Sequence, residues 1–266
     1  MFDLDALLRG SRAELARCIS LLENDGVGAS ALAAAIAPHR GRACVVGITG
    51  PLGAGKSSLV GALTGEWVQR GRSVAVLAID PSSPISGGAL LGDRIRMGGH
   101  AQSDRVFIRS ASSRGHAGAL SGSANRIVDA MDAAGFDAVI VETVGAGQSE
   151  VAIRRLADAC VVVLPPGLGD EIQAIKAGIV EIADILVVNK GDRLDSAQTV
   201  RDLRLASRLR RRQGWEVPVL RTVATTGEGV DALVDRIDDF VRTSGIGRRL
   251  AHGTGAHGPG AGTIGV

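Results

Sequence analysis

The sequence predicts an α/β fold in three layers, a mainly parallel sheet with helices on both faces. Two observations predict it. From Arg42 onward, apolar runs of strand length alternate with amphipathic segments of helix length. Those runs are apolar throughout, as in strands covered on both sides. A third observation fits the same order: a glycine-rich loop ending in Lys-Ser lies between the first run and the first helix after it.

The elements follow in order. Residues 3–38 read as a helical extension. Leu4, Leu7, Leu8, Leu15, Ile19 and Leu22 are spaced for one apolar face. Asn24-Asp25-Gly26 is a stop, and a short Ala-rich helix follows as far as Pro38. The strand candidates are 43–48, 73–79, 105–108, 137–142, 159–164, 184–189 and 217–222. The helical candidates are Lys56–Arg70, Ala124–Ala134, Ser149–Ala157, Glu171–Glu181, Ser196–Arg212 and Val230–Val241. After Val241 glycine dominates and apolar periodicity ends, which predicts a disordered tail. The expected division is 1–40 helical extension, 41–242 main domain and 243–266 Gly-rich tail, with no internal repeat.

Composition narrows the function. Of the 266 residues, 45% are apolar and 22% charged, ordinary for a soluble globular protein. Net charge is +2 and aromatics are only 2%, so neither a basic footprint nor base-stacking platforms point to nucleic acid. Cys18, Cys44 and Cys160 are far apart, which suggests neither a disulfide framework nor a Cys-x-x-Cys zinc site. Cys44 and Cys160 read as buried small hydrophobes. No secretory leader and no window near ~20 apolar residues is seen, so a cytoplasmic protein without membrane contact is expected.

The loop Gly50-Pro51-Leu52-Gly53-Ala54-Gly55-Lys56-Ser57, followed by Ser58, fits G-x-x-x-x-G-K-[ST]. Glycines let the backbone curl so that successive N–H groups face one anion, and the next helix adds its positive end. Lys56 is placed to neutralise the outer phosphates, and the Ser57 hydroxyl to ligate Mg²⁺. A chance Gly-rich turn is the weaker alternative, because motif and context agree.

Asn189-Lys190-Gly191-Asp192 ends a later apolar run. A carboxylate at Asp192 accepts from both N1–H and the exocyclic amine of guanine, a donor pair that adenine lacks. The alternative is a polar turn with a helix cap at Asp192 or Asp195.

Three further segments carry a resemblance: 78–97 (AIDPSSPISGGALLGDRIRM), 139–150 (VIVETVGAGQSE) and 168–192 (LGDEIQAIKAGIVEIADILVVNKGD). Over about residues 40–240 the chain resembles the MeaB-type (ArgK) GTPases, accessory proteins of methylmalonyl-CoA mutase in the SIMIBI division of P-loop proteins. The resemblance implies a P-loop NTPase fold binding GTP/GDP with Mg²⁺. It implies a first switch around Asp80 and Asp93, placed for the metal and the attacking water. It implies a second switch at Glu142-Thr143-Val144-Gly145, where Glu142 holds a water on the metal or orients the attacking one, and Gly145 offers its N–H to the γ-phosphate. Segment 167–177 resembles a third switch, with Asp170, Glu171, Gln173 and Lys176. Residues 222–230 resemble the loop that backs guanine, through Val223, Ala224 and Thr225.

Leu52 and Ser58 stand where the family usually has Pro and Thr, and Val223 replaces its commoner Ser. The Gly-rich tail replaces most of the family's helical dimerisation arm, which argues against the usual homodimer. The function implied is a GTP-hydrolysing chaperone, slow alone and partner-stimulated. It gates adenosylcobalamin loading and protects a B12-dependent acyl-CoA mutase. The alternatives are a SIMIBI GTPase for nickel-enzyme maturation, an ATP-dependent kinase of a transport protein, and a binding module whose hydrolysis is incidental. Elsewhere, Arg201, Arg204, Arg208, Arg210, Arg211 and Arg212 read as a solvated helix face, and Trp67 and Trp215 as packing residues. His252 and His257 carry no clear metal signal.

Overall fold

The computed structural model describes residues 2–23, 28–80, 103–112, 122–143, 149–167, 179–208, 211–212 and 214–244. Expectations for Asp93, Val144, Gly145, segment 168–178 and the tail from 245 fall outside these residues, as does most of segment 78–97.

The chain opens with helices α1 (Leu4–Leu8), α2 (Arg12–Glu23) and α3 (Ala29–Ile36), then a 3₁₀ turn over Ala37–His39. The sequence had suggested one helix up to residue 23. Gly10, at φ +85°, separates α1 from α2 with a left-handed residue that ends the first helix. Leu7, Leu15, Cys18, Ile19 and Leu22 are buried, as the spacing requires.

The main body is β1 (Cys44–Thr49), α4 (Lys56–Gln69), β2 (Val74–Asp80), β3 (Val106–Ser112), α5 (Gly122–Ala133), β4 (Ala138–Thr143), α6 (Ser149–Leu156) and β5 (Ala159–Leu164). It continues with α7 (Ile179–Ile182), β6 (Ile185–Val188), α8 (Ser196–Arg208), β7 (Arg211–Arg212), β8 (Trp215–Glu216), β9 (Val219–Arg221) and α9 (Val230–Thr243). Seven strands form one sheet in the order β3-β2-β4-β1-β5-β6-β9, every pair parallel. The basic segment departs from its predicted helix. α8 ends at Arg208, and Arg211 and Arg212 instead pair antiparallel with Glu216 and Trp215.

Strand periodicity sorts the side chains into two cores. Val45, Leu77, Val139, Val141, Val162, Leu186 and Val188 face the layer built by α1–α3, α5, α6 and α8. Val46, Ile48, Val76, Ile140, Val161, Val163 and Val187 face α4 and α9. Trp67 is fully buried in the second core. The N-terminal helices share the first core with α5.

Polar contacts fix the joints. The buried Asp132 carboxylate on α5 accepts the N–H groups of Gly41, Arg42 and Ala43, which sets the entry to β1. Arg12 on α2 donates to the carbonyls of Asp104 and Val106. Arg72 grips Asp238 with two bonds of 2.8 and 2.7 Å, joining the end of α4 to α9. Among the described residues no helix is long and apolar enough to cross a membrane.

Candidate nucleotide site

Parallel strands present their C-terminal ends at one edge of the sheet, and the crevice there is where ligands bind in this class. β1 delivers the glycine-rich loop to that edge. Gly50 sits at φ +138°, and a Cβ there would lie 2.0 Å from the Val163 carbonyl oxygen, so no side chain fits. Gly55 is left-handed too (φ +86°), and a Cβ would lie 2.4 Å from Asn189 Nδ2. Gly55, the N-cap of α4, makes no side-chain cap hydrogen bond, so the capping residue itself does not compete with an anion for the first N–H groups of the helix. Lys56 is buried and its ammonium donates to the carbonyls of Gly50 (2.8 Å) and Pro51 (3.0 Å). Ala54 is buried, Ser57 and Ser58 half-buried, and Gly53 and Leu52 exposed at the tip.

Ser57 Oγ donates to Glu142 Oε1 at 2.6 Å, bringing the start of α4 to the end of β4. Glu142 is 2% exposed, and its register partners are Ile48 on β1 and Ala78 on β2. Ile79 pairs with Thr143, so the backbone of Asp80 closes β2 one position beyond. A hydroxyl and a carboxylate are hard oxygen donors, the kind Mg²⁺ takes. Among the described residues no group of three His, Cys, Asp or Glu gathers around a metal-sized point.

The segment after β6 is tied to the glycine-rich loop by one side chain. Asn189, 2% exposed, donates through Nδ2 to the carbonyls of Ala54 (3.0 Å) and Gly55 (3.3 Å). Its Oδ1 accepts from Thr222 Oγ1 (3.2 Å) and the Ala224 N–H (3.1 Å). Lys190 takes φ +59°, unusual outside glycine, which turns the chain sharply after β6. Gly191 N–H then donates to the Thr222 carbonyl (2.8 Å), and Ser196 Oγ to the Gly191 carbonyl (2.7 Å). That pins the turn from both sides and leaves Asp192 exposed. Val223 is buried with its N–H on the Glu228 carbonyl (2.9 Å), while Thr225 is exposed on the turn. The N–H groups of Val223 and Ala224, expected to back a base, are thus engaged inside the protein.

Sequence reasoning missed several supporting hydroxyls. Thr143 Oγ1 donates to Thr49 Oγ1 (3.1 Å), joining the roots of two loops at the site. Thr222 carries the bond to Asn189, and Thr199 Oγ1 accepts the Gly167 N–H (3.2 Å) just before segment 168–178. Thr143 and Thr222 lie inside motif segments that assign them no such role, and no motif marks Thr49 at the end of β1 or Thr199 within α8. The cysteines are all buried, and burial, with the Glu14 charge second, pushes the Cys18 thiol up to about 12.

Comparison with known proteins agrees with this geometry. Residues 15–252 match the family described as methylmalonyl Co-A mutase-associated GTPase MeaB. A Pyrococcus horikoshii protein named as a GTPase is 47% identical over 91% of this chain and 78% of its own length. The mouse methylmalonic aciduria type A homolog, mitochondrial, is 35% identical over 88% of this chain and 61% of its own length. A crystal structure titled LAO/AO transport system kinase superposes with a TM-score of 0.77 at 31% identity, covering 93% of this chain and 76% of that one. With its parallel sheet, its glycine-rich P-loop motif and the Asn189 tie from that loop to the segment after β6, the chain belongs to the MeaB family of guanine-nucleotide-binding P-loop proteins.

Proposed function

We propose that this chain is a GTP-hydrolysing switch that serves an adenosylcobalamin-dependent acyl-CoA mutase, gating cofactor loading and protecting or reactivating the enzyme. The observation that carries the hydrolytic part is the 2.6 Å contact between Ser57 and Glu142. It puts a phosphate-loop hydroxyl and a strand-end carboxylate at one point, the donor set a P-loop GTPase needs for Mg²⁺. Bound there, the cation supplies charge neutralisation between the outer phosphates.

The chain's own groups do the rest. Backbone N–H groups of the loop and α4 cradle the phosphates, and Lys56 leaves its loop carbonyls to neutralise their oxygens. Asp192 accepts from the guanine edge while Asn189 holds its loop in place. Glu142 is the carboxylate at hand to orient water, with Asp80 and Asp93 as further acidic residues of the first switch and Gly145 as an N–H donor to the γ-phosphate. No arginine finger is evident in the sequence motifs, which fits slow turnover alone and acceleration when a partner orders the switches.

The family description supports methylmalonyl-CoA mutase as the first partner to try. A kinase role needs adenine selection, which the Asp192 loop opposes. Nickel insertion needs soft ligands near the switches, and the cysteines lie apart and buried. The deciding assay is GTP turnover with and without the cognate mutase. We expect a rise of at least about tenfold. No change in rate and no complex with any candidate mutase would overturn the chaperone reading.

A further inference from the structure

A cleft of about 500 Å³ opens at the end of the sheet opposite the phosphate loop. It lies between α8, the β7–β8 ribbon, edge strand β9 and α9, lined by Arg204, Trp215, Glu216, Pro218, Leu220 and Arg236 among others. It lies at the N-terminal end of β9, and none of its lining residues is among those assigned to nucleotide.

The walls are built unevenly. Trp215 is held rigidly: its indole N–H donates to the Asp184 carbonyl (2.9 Å), and its ring meets Phe240 edge-on at 5.1 Å. Asp184 is itself fixed, its carboxylate holding Arg154 (2.8 Å) and the Cys160 N–H (2.9 Å). This apolar wall is therefore preorganised and loses little entropy when covered.

The guanidiniums are spent lightly. Arg204 places one N–H on the Val219 carbonyl at a long 3.4 Å, and Arg236 one on Asp239 at 3.2 Å. Each guanidinium has five donors. The Arg236 side chain is 53% exposed, and Arg204 is exposed as well. Glu216 is the carboxylate among the named lining residues, so cationic groups outnumber it.

The sheet edge adds direction. The Leu186 N–H donates to the Pro218 carbonyl and Leu186 pairs with Val219, so the N–H and C=O of Val219 turn away from β6. Among the described residues β9 ends the sheet on that side.

We propose that this cleft is a second binding site, for a short extended segment of a protein partner carrying acidic and apolar side chains. Carboxylates meet the Arg204 and Arg236 forks, apolar side chains cover Trp215, Pro218 and Leu220, and the segment's main chain runs along the outward edge at Val219. A small anion would use the forks alone and leave the apolar wall wet.

The test uses the full chain and its own tryptophans. Trp67 is fully buried in the α4 core and stays silent, while Trp215 lines the cleft. The probe is a capped hexapeptide of two leucines and four glutamates. We expect a saturable change in tryptophan emission that weakens about tenfold or more in the Arg204→Glu/Arg236→Glu variant, with unchanged circular dichroism and GDP binding. The Arg204→Gln/Arg236→Gln variant should fall between. Equal affinity in the reversed-charge variant overturns the proposal. So does the absence of a saturable change, or a response to inorganic phosphate or a leucine–lysine hexapeptide as strong as to the acidic one. GDP binding reports the nucleotide site separately, so loss of one reading leaves the other measurable.

Discussion

Lys56 and Asp192 carry the sharpest single-residue consequences. Lys56→Ala removes a buried ammonium; in the proposed role its bonds to phosphate would be charge-assisted and worth about 1.5–3 kcal/mol each. Titration with fluorescent GDP should show at least about a tenfold loss, and unchanged binding would sink the phosphate-loop assignment. In the proposed role, Asp192→Asn would replace one of two acceptors by a donor facing the guanine edge. GTP should weaken by roughly a hundredfold while xanthosine triphosphate gains, and competition between the two measures it. Both roles could be proposed from the sequence because their motifs are strings of chemistry read in order. Those of Thr222, Thr199 and the Thr49–Thr143 pair could not. Their roles come from strands, loops and a helix brought side by side, and a sequence does not record which of these are neighbours. Asn189 was legible as part of a base-reading motif, yet its bonds run to the protein itself.

Among elements, the junction of α6, β5 and β6 depends most on one group. Asp184 is 1% exposed, and its carboxylate receives both Arg154 and the Cys160 N–H. Asp184→Ala strands a guanidinium and a backbone donor, so urea unfolding should show a loss of about 3–5 kcal/mol. A loss under about 1 kcal/mol would mean that water replaces the carboxylate there. Most of the strands were readable from the sequence within a residue or two, because runs such as 159–164 are apolar on both faces and need no partner to be recognised. β3 was read short. It continues through Arg109 to Ser112, and Arg109 is polar because it pairs with Glu23 (2.6 Å) on α2, a helix distant in sequence. α8 was read long. Arginines favour helix, but Trp215 packing on Phe240 and the Arg211–Glu216 pairing fold the following segment back as a ribbon.

At the scale of the whole molecule, the N-terminal helices are part of the main core. Leu7, Leu15, Ile19 and Leu22 are buried in the cluster that includes α5, and each contributes about 1.5–3 kcal/mol by burial. Deleting residues 1–40 should abolish cooperative thermal unfolding or drive the protein into aggregates; a truncated chain melting like the full one would show the helices to be an appendage. The sequence marked them as an extension because their grammar differs from the strand–helix alternation that follows. Grammar does not reveal what a helix covers.

The Asn189 side chain has a further consequence at this scale. Its amide holds Ala54 and Gly55 with one end and Thr222 and Ala224 with the other. The two halves of the crevice therefore behave as jaws on a common hinge pin, with their spacing set before any ligand arrives. Fragments should reveal this as a chelate effect. Guanosine and pyrophosphate, offered separately, each meet a correctly spaced half-site, and GDP gains the effective concentration of two linked ligands on a rigid frame. The GDP association constant divided by the product of the two fragment constants should give an effective molarity well above the millimolar level of a flexible linker.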